Sequence, residues 1–257
     1  MLEPVTTAVI LVALGLGAGT LGSMVGVGGG IIIAPVLTFM GLPPTQIAST
    51  SLFAVTSTSI SSTIEYSRQK KIEYRLGLEM AALSIPGAVI GAFVSESVSL
   101  ELFKLWFGIL LILTGIYVLY RNAILKKNIL KKQSIAKRIL VFGITFGAGI
   151  LSSLFGVGGG IIYVPAMLIV LGMTIQRGAP TSQLTLMMTS FAGIFAHSYL
   201  GHPDYLQAAA LAVGAFAGGQ IGARISKSAK ETVLTQLLGL VLIAVSVKLI
   251  FDWLTSR

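Results

Sequence analysis

The sequence predicts an all-α polytopic membrane protein built from two inverted-topology repeats of about five helical segments each. Three observations carry that expectation. Of 257 residues, 54% are apolar and only 11% are charged, and the mean hydropathy is +0.91, so apolar runs follow one another without the charged surface a soluble domain needs. A glycine element occurs twice, as "MVGVGGGIIIAPVL" from residue 24 and "LFGVGGGIIYVPAML" from residue 154. The Lys/Arg-rich loops fall at different places in the two copies.

A helix needs about 20 residues to cross the hydrocarbon core. Ten segments are expected, near 5–22, 30–41, 46–66, 75–95, 101–120, 138–154, 160–172, 179–200, 205–224 and 231–254. The first lacks a basic n-region and a small-residue cleavage site, so it reads as a retained helix. The second and seventh reach only about 18 Å at 1.5 Å per residue, and each is expected to form a broken or re-entrant hairpin with the helix before it. Residues 1–120 form the first repeat, 121–137 a basic connector and 138–257 the second repeat.

The repeat register is continuous. Gly26, Gly28, Gly29, Gly30 and Pro35 return as Gly156, Gly158, Gly159, Gly160 and Pro165. After a one-residue insertion, Gly41 pairs with Gly172, Thr50-Ser51 with Thr181-Ser182, Thr58-Ser59 with Thr189-Ser190, and Tyr74 with Tyr205. "GAVIGA" at 87–92 then answers "GGQIGA" at 218–223, and Gly108 answers Gly239. Short cytoplasmic loops carry the basic excess. The connector "RNAILKKNILKKQSIAKR" and "SRQKKIEYR" (67–75) are therefore expected inside and "SESVSLE" outside. In the second half "SYLGHPDY" lacks Lys and Arg while "RISKSAK" has three, so the halves are expected to be inverted with both termini outside, although Lys248 and Arg257 pull mildly the other way.

Composition also removes function classes. With no cysteine there is no disulfide, thiol nucleophile or thiolate metal site, and two histidines are too few for a metal centre to be expected; no cofactor is implied. Net charge +9 lies in loops between spans with no aromatic platform, which fits membrane orientation and anionic headgroups, not nucleic acid. No paired carboxylates or Ser/His/Asp set lie at one depth, so an enzyme is not expected.

Inverted repeats with interrupted helices are the signature of secondary transporters, whose site lies where the broken elements meet near mid-depth. Glycine permits left-handed backbone, so Gly26, Gly28, Gly29 and Gly30, with Gly156, Gly158, Gly159 and Gly160, are expected to aim N–H groups at an anion beside the positive end of a short helix. Pro35 and Pro165 each free a carbonyl one turn earlier, near Ile31 and Ile161, available to a coupling cation or marking a kink. Tight helix packing is the competing reading of the glycines. Hydroxyls at Thr50, Ser51, Thr58, Ser59, Thr181, Ser182, Thr189 and Ser190, and the Gln183 amide, can donate to anion oxygens, although such hydroxyls often bond their own backbone. Glu65 and His197, near equivalent segment ends, are proton-coupling candidates, and Arg224 could attract an anion. Each of the three also fits a loop-edge or snorkelling role.

The duplicated "GVGGG…P" element, the basic loop followed by "Y-R" at the fourth segment, and the "GAVIGA" and "GGQIGARI" patterns resemble the TauE/SafE family of sulfite exporters over essentially the full chain. The resemblance implies export of sulfite or a small organosulfonate, driven by an ion gradient with a proton or sodium as coupling ion, across the cell membrane. It implies placing the substrate at the two glycine elements and the hydroxyl-bearing segments after them. It leaves open an uncoupled anion channel, a carrier of another anion such as a carboxylate, and the oligomeric state.

Overall fold

The computed structural model of the chain describes residues 4–126, 135–227, 239, 243–244, 246–251 and 253–254. Among them the regular structure is helical: α1 (Pro4–Val25), α2 (Gly30–Phe39), α3 (Pro44–Arg68), α4 (Tyr74–Ser95), α5 (Leu100–Lys126), α6 (Ile135–Phe155), α7 (Gly160–Pro165), α8 (Ile175–Tyr199) and α9 (Tyr205–Ile225). The expected segments match these in order. Most of the basic connector and most of the segment at 231–254 lie outside the described residues.

Local chemistry sets the boundaries. Pro44 opens α3 where no N–H is needed, and the Asp204 carboxylate caps α9 by accepting from the N–H groups of Leu206 and Gln207 at 3.1 Å each. Gly41, Gly172 and Gly201 follow α2, the α7 region and α8 at positive φ, which ends a helix without a Cβ penalty. Pro165 has no N–H for the Ile161 carbonyl, and α7 passes directly into a π-helical turn, Ala166–Val170. α8 begins four residues earlier than expected, with Pro180 inside the helix.

Five helical stretches among the described residues are long and apolar enough to cross a membrane, Thr6–Val25, Tyr74–Ser95, Leu100–Tyr117, Arg138–Phe155 and Tyr205–Ile225. Large apolar side chains such as Phe93, Trp106, Leu113 and Val213 point outward from them, as a lipid solvent requires. The protein is an all-α, multi-pass membrane protein. α3 and α8, 25 residues each, are equally long but rich in hydroxyls, because they run through protein. Thr50, Ser51, Thr58, Ser59 and Ser62 of α3, and Thr181, Ser182, Gln183, Thr189 and Ser190 of α8, are all fully buried.

The helices of the two halves exchange partners. α1 packs along α9, α6 packs along α4, and α3 and α8 lie between these pairs and touch each other. Glycine makes the close pairs possible. A Cβ on Gly214, Gly218 or Gly222 would stand 2.0, 2.2 or 2.1 Å from the carbonyls of Val12, Leu16 and Thr20, so α1 and α9 run parallel with backbones in contact. Gly87 and Gly91 meet the Phe146 and Ile150 carbonyls in the same way at 2.3 Å, so α4 and α6 are also parallel. α3 and α8 run antiparallel: Thr56 bonds Ser190 while Leu52, one turn earlier, packs at Gly193, one turn later. One end of the bundle carries Arg68, Lys70, Arg75, Arg138, Arg177 and Arg224, and the other carries Glu96, His202 and Asp204. These are called the basic and acidic ends below.

Candidate functional site

The two glycine turns cross at the middle of the bundle. A Cβ on Gly30 would lie 2.5 Å from the Gly156 carbonyl, and one on Gly160 would lie 2.4 Å from the Gly26 carbonyl. The turns therefore run antiparallel, with Gly28 opposite Gly158 and the side chains of Val55 and Leu186 filling the seam between them. Each turn is held by the central helix of the opposite half. Ser182 Oγ donates to the Gly26 carbonyl and Ser51 Oγ to the Gly156 carbonyl, both at 2.7 Å. Gly26 also rests on Ala179, and Gly156 on Ala48.

The first turn is folded on itself. The N–H groups of Gly26, Val27 and Gly28 all donate to the Gly22 carbonyl, at 3.0, 2.8 and 3.1 Å, and Gln183 Nε2 adds a fourth donor at 3.2 Å. These N–H groups were expected to face a ligand, and they face a carbonyl instead. Gly22 is the cause, since a Cβ there would sit 2.0 Å from the Gly29 nitrogen.

The second turn lacks this fan. Ser152 stands where Gly22 would recur, its Cβ keeps the turn away, and Gly159 takes φ −66° where Gly29 has +80°. Among the described residues the N–H groups of Gly156, Val157 and Gly158 make no bond of this kind. The hydroxyls of Ser152 and Ser153, in the last turn of α6, are buried without a partner. Tyr163, which replaces Ile33 of the first copy, folds its ring over Gly159 and bonds Ser84, with Thr189 at 3.5 Å.

The remaining hydroxyls divide between backbone and unfilled positions. Thr58 donates to the Ala215 carbonyl at 3.3 Å, Thr189 to Thr185 at 2.9 Å, Ser190 to Leu186 at 2.5 Å, and Thr181 to Arg177 at 2.7 Å. Thr50 Oγ1, Ser59 Oγ and Gln183 Oε1 are buried without a partner. An unpaired buried hydroxyl costs about 1–3 kcal/mol, which makes each a place where a polar ligand is favoured. Sequence reasoning missed Tyr163, Ser152 and Ser153; for Tyr163 and Ser152 the signal was available as positions where the two copies disagree, whereas Ser153 matches Ser23 and carried no such signal.

The ionisable candidates lie at opposite ends. At the basic end Glu65 accepts from Gln69 at 3.2 Å, Gln220 at 3.2 Å and Arg224 at 3.4 Å, a clamp between α3 and α9. At the acidic end His197 is fully buried and bonds the Ser153 carbonyl at 3.0 Å. Glu65 and His197 are not brought together, and in the repeat register His197 matches Tyr66. The Tyr66 hydroxyl accordingly donates to the Ser23 carbonyl at 2.9 Å, the same bond in the other half.

A cleft of about 470 Å³ opens at the basic end between α4, α6 and α8, lined by Arg75, Arg138 and Arg177 together with Glu73 and Leu171. Arg177 pairs with Glu73, and Arg138 and Arg75 pair with Glu79, leaving three guanidinium groups for two carboxylates.

Two broken helices meeting inside a multi-pass bundle, lined with buried hydroxyls, define the class as membrane transporters. The chain belongs to the sulfite exporter TauE/SafE family, which it matches over residues 11–249. It is 34% identical to the probable membrane transporter protein YunE of Bacillus subtilis (strain 168), over 96% of this chain and 99% of that protein. It is 29% identical to the probable membrane transporter protein MJ0441 of Methanocaldococcus jannaschii (77% of this chain, 74% of that one). It is 24% identical to the probable membrane transporter protein YfcA of Escherichia coli (strain K12) (91% and 86%). No solved structure matches the chain.

Proposed function

We propose that the protein exports a small sulfur-containing anion, sulfite or an organosulfonate, by alternating access between two inverted halves, driven by an ion gradient. The observation that carries this reading is the second glycine turn, where, among the described residues, the N–H groups of Gly156, Val157 and Gly158 make no hydrogen bond and the buried hydroxyls of Ser152 and Ser153, at the end of the helix that leads into it, have no partner. An anion with three oxygens fits such a donor set. Each hydrogen bond to a charged acceptor contributes about 1.5–3 kcal/mol, so a few suffice without a paired cation. The family's description as sulfite exporters supports the choice of sulfur oxyanion.

Direction follows from charge. With the basic end in the cytoplasm, the Arg75, Arg138 and Arg177 cleft gathers anions there. The positions that match these arginines at the acidic end are Leu206, Ala8 and Gln46, which attract none. Capture inside and release outside is export.

The test is flux of sulfite, sulfoacetate, taurine, sulfate and acetate through proteoliposomes, with and without a pH gradient. Sulfite or a sulfonate is expected to move selectively, and Ser152→Ala combined with Ser153→Ala to raise its KM about 10–100-fold, the equivalent of one charge-assisted bond. Movement of acetate alone would make the cargo a carboxylate, and gradient-insensitive flux would make the protein a channel.

The inverted arrangement has its own test. Lys70 and Gly201 hold equivalent positions after α3 and α8, both at positive φ. In this cysteine-free chain, Lys70→Cys is expected to label only from the cytoplasm and Gly201→Cys only from outside. Labelling from one side would rule out inversion.

A further inference from the structure

The only two histidines of the sequence are brought into contact at the acidic end. His197 Nε2 lies 3.0 Å from the Ser153 carbonyl, His197 Nδ1 lies 2.8 Å from His202 Nδ1, and His202 Nε2 lies 3.3 Å from Glu96 Oε1. Exposure rises along this line: His197 is fully buried, the His202 side chain is 10% exposed and that of Glu96 is 48% exposed. The chain of contacts thus leads from outside water to the serine pair that precedes the second glycine turn.

Counting protons shows what the contacts require. A carbonyl only accepts, so His197 Nε2 carries a proton. Two bare ring nitrogens 2.8 Å apart would repel, so a second proton lies between the Nδ1 atoms. The contact between His202 Nε2 and the Glu96 carboxyl needs a third. Two neutral imidazoles supply two protons, and the third must be an extra one. With it the trio is neutral; without it the trio carries a charge of −1 and one contact fails.

We infer that His197, His202 and Glu96 form a proton-binding site at the acidic end that takes up and releases one proton as a unit, and that this proton couples to anion movement. The coupling half of the inference rests on the proposed transport reading. The other half of the molecule supplies an internal comparison. Tyr66, at the position matching His197, makes the same bond to the matching carbonyl with a phenol that keeps its proton through the physiological range. The acidic-end latch, joining α8 to the end of α6, is built instead on imidazole rings, whose two nitrogens can each hold or release a proton. When the proton leaves toward outside water through Glu96, the His202 contact to Glu96 or to His197 is lost, and the latch that closes the acidic end loosens.

The surroundings add no competing acid or base. The α3 face at Leu52 and the α6 face at Ser152 and Ser153 carry no ionisable group. Asp204, beyond His202, spends Oδ1 on capping α9. Glu101 and Lys104 of α5 make no hydrogen bond to the trio among the described residues.

Two measurements test this on the full-length protein. With ¹⁵N-histidine the spectrum holds just these two rings, and they are expected to titrate together in one step that shifts in Glu96→Gln. Independent titration of the two rings would overturn the shared site whatever the protein transports. In proteoliposomes, Glu96→Gln and His202→Gln are expected to lose at least tenfold in pH-gradient-driven anion accumulation while keeping anion counterflow within about twofold of wild type. Full gradient-driven accumulation in the variants, or wild-type accumulation indifferent to the pH gradient, would overturn the coupling. Absence of counterflow in the wild type would instead remove the anion reading and leave the histidine titration to decide the proton site.

Discussion

Gly26→Ala is expected to leave almost no folded protein. Gly26 holds φ +84°, and left-handed backbone costs a residue with a Cβ about 1–2 kcal/mol. The larger effect is contact, because the new methyl would stand 2.6 Å from Ala179 Cα, and backbone there cannot step aside without moving α8. Overpacking of a close-packed site costs about 1–3 kcal/mol more. The displaced turn would also lose the Ser182 bond and its fit against Gly160. Set against a total stability of about 5–15 kcal/mol, the combined loss is a large share. Gly41→Ala is the control, since Gly41 has φ +79° but nothing within 4 Å of its Cβ position, so it tests strain without contact. Thermal unfolding in detergent should show Gly41→Ala a few degrees below wild type and Gly26→Ala aggregated. Equal losses would mean that backbone strain, and not the crossing of the two turns, accounts for the glycines.

Much of this architecture was legible because membrane helices advertise themselves by length and because duplication lets one half predict the other. The glycine turns, their prolines and the central α3 and α8 helices were all found that way. Pairing across halves was harder to see. Nothing local in Gly214, Gly218 or Gly222 says that they receive α1 and not the neighbouring α8, since small residues favour close approach without naming a partner. The hydroxyl ladders illustrate a second limit. Ser51 and Ser182 looked like donors to an anion, yet their protons go to the Gly156 and Gly26 carbonyls, because a broken helix leaves carbonyls that must be satisfied at membrane depth. His202 was passed over for a third reason. It lies in a loop five residues past His197, and only the return of the chain after α8 and the end of α4 at Glu96 make a trio of them.

Opening the seam between the two turns is expected to convert regulated transport into leak. Val55 Cγ1 lies 3.1 Å from the Cβ position of Gly28 and 2.9 Å from that of Gly158, and the Leu186 methyls lie 3.1 and 3.0 Å from the same points. Both side chains are fully buried. They separate the hydroxyls toward the basic end, such as Ser59, from those toward the acidic end, such as Ser190. The proposed anion could pass only by shedding water beside these apolar groups or by a movement of the turns that parts them. Val55→Thr keeps the shape of the plug while giving it a hydroxyl, and so should fold as wild type does. Leu186→Ala removes most of one side and costs about 2–5 kcal/mol of stability. Passive anion efflux from proteoliposomes, with no gradient imposed, should rise at least tenfold in Leu186→Ala and in the double variant, and by less in Val55→Thr. Wild-type passive efflux in all three, with folded protein, would place the barrier elsewhere along α3 and α8. A rise in leak with loss of accumulation would instead mean that these two side chains keep the paths from either end from joining, so that the proposed anion crosses only when the turns move.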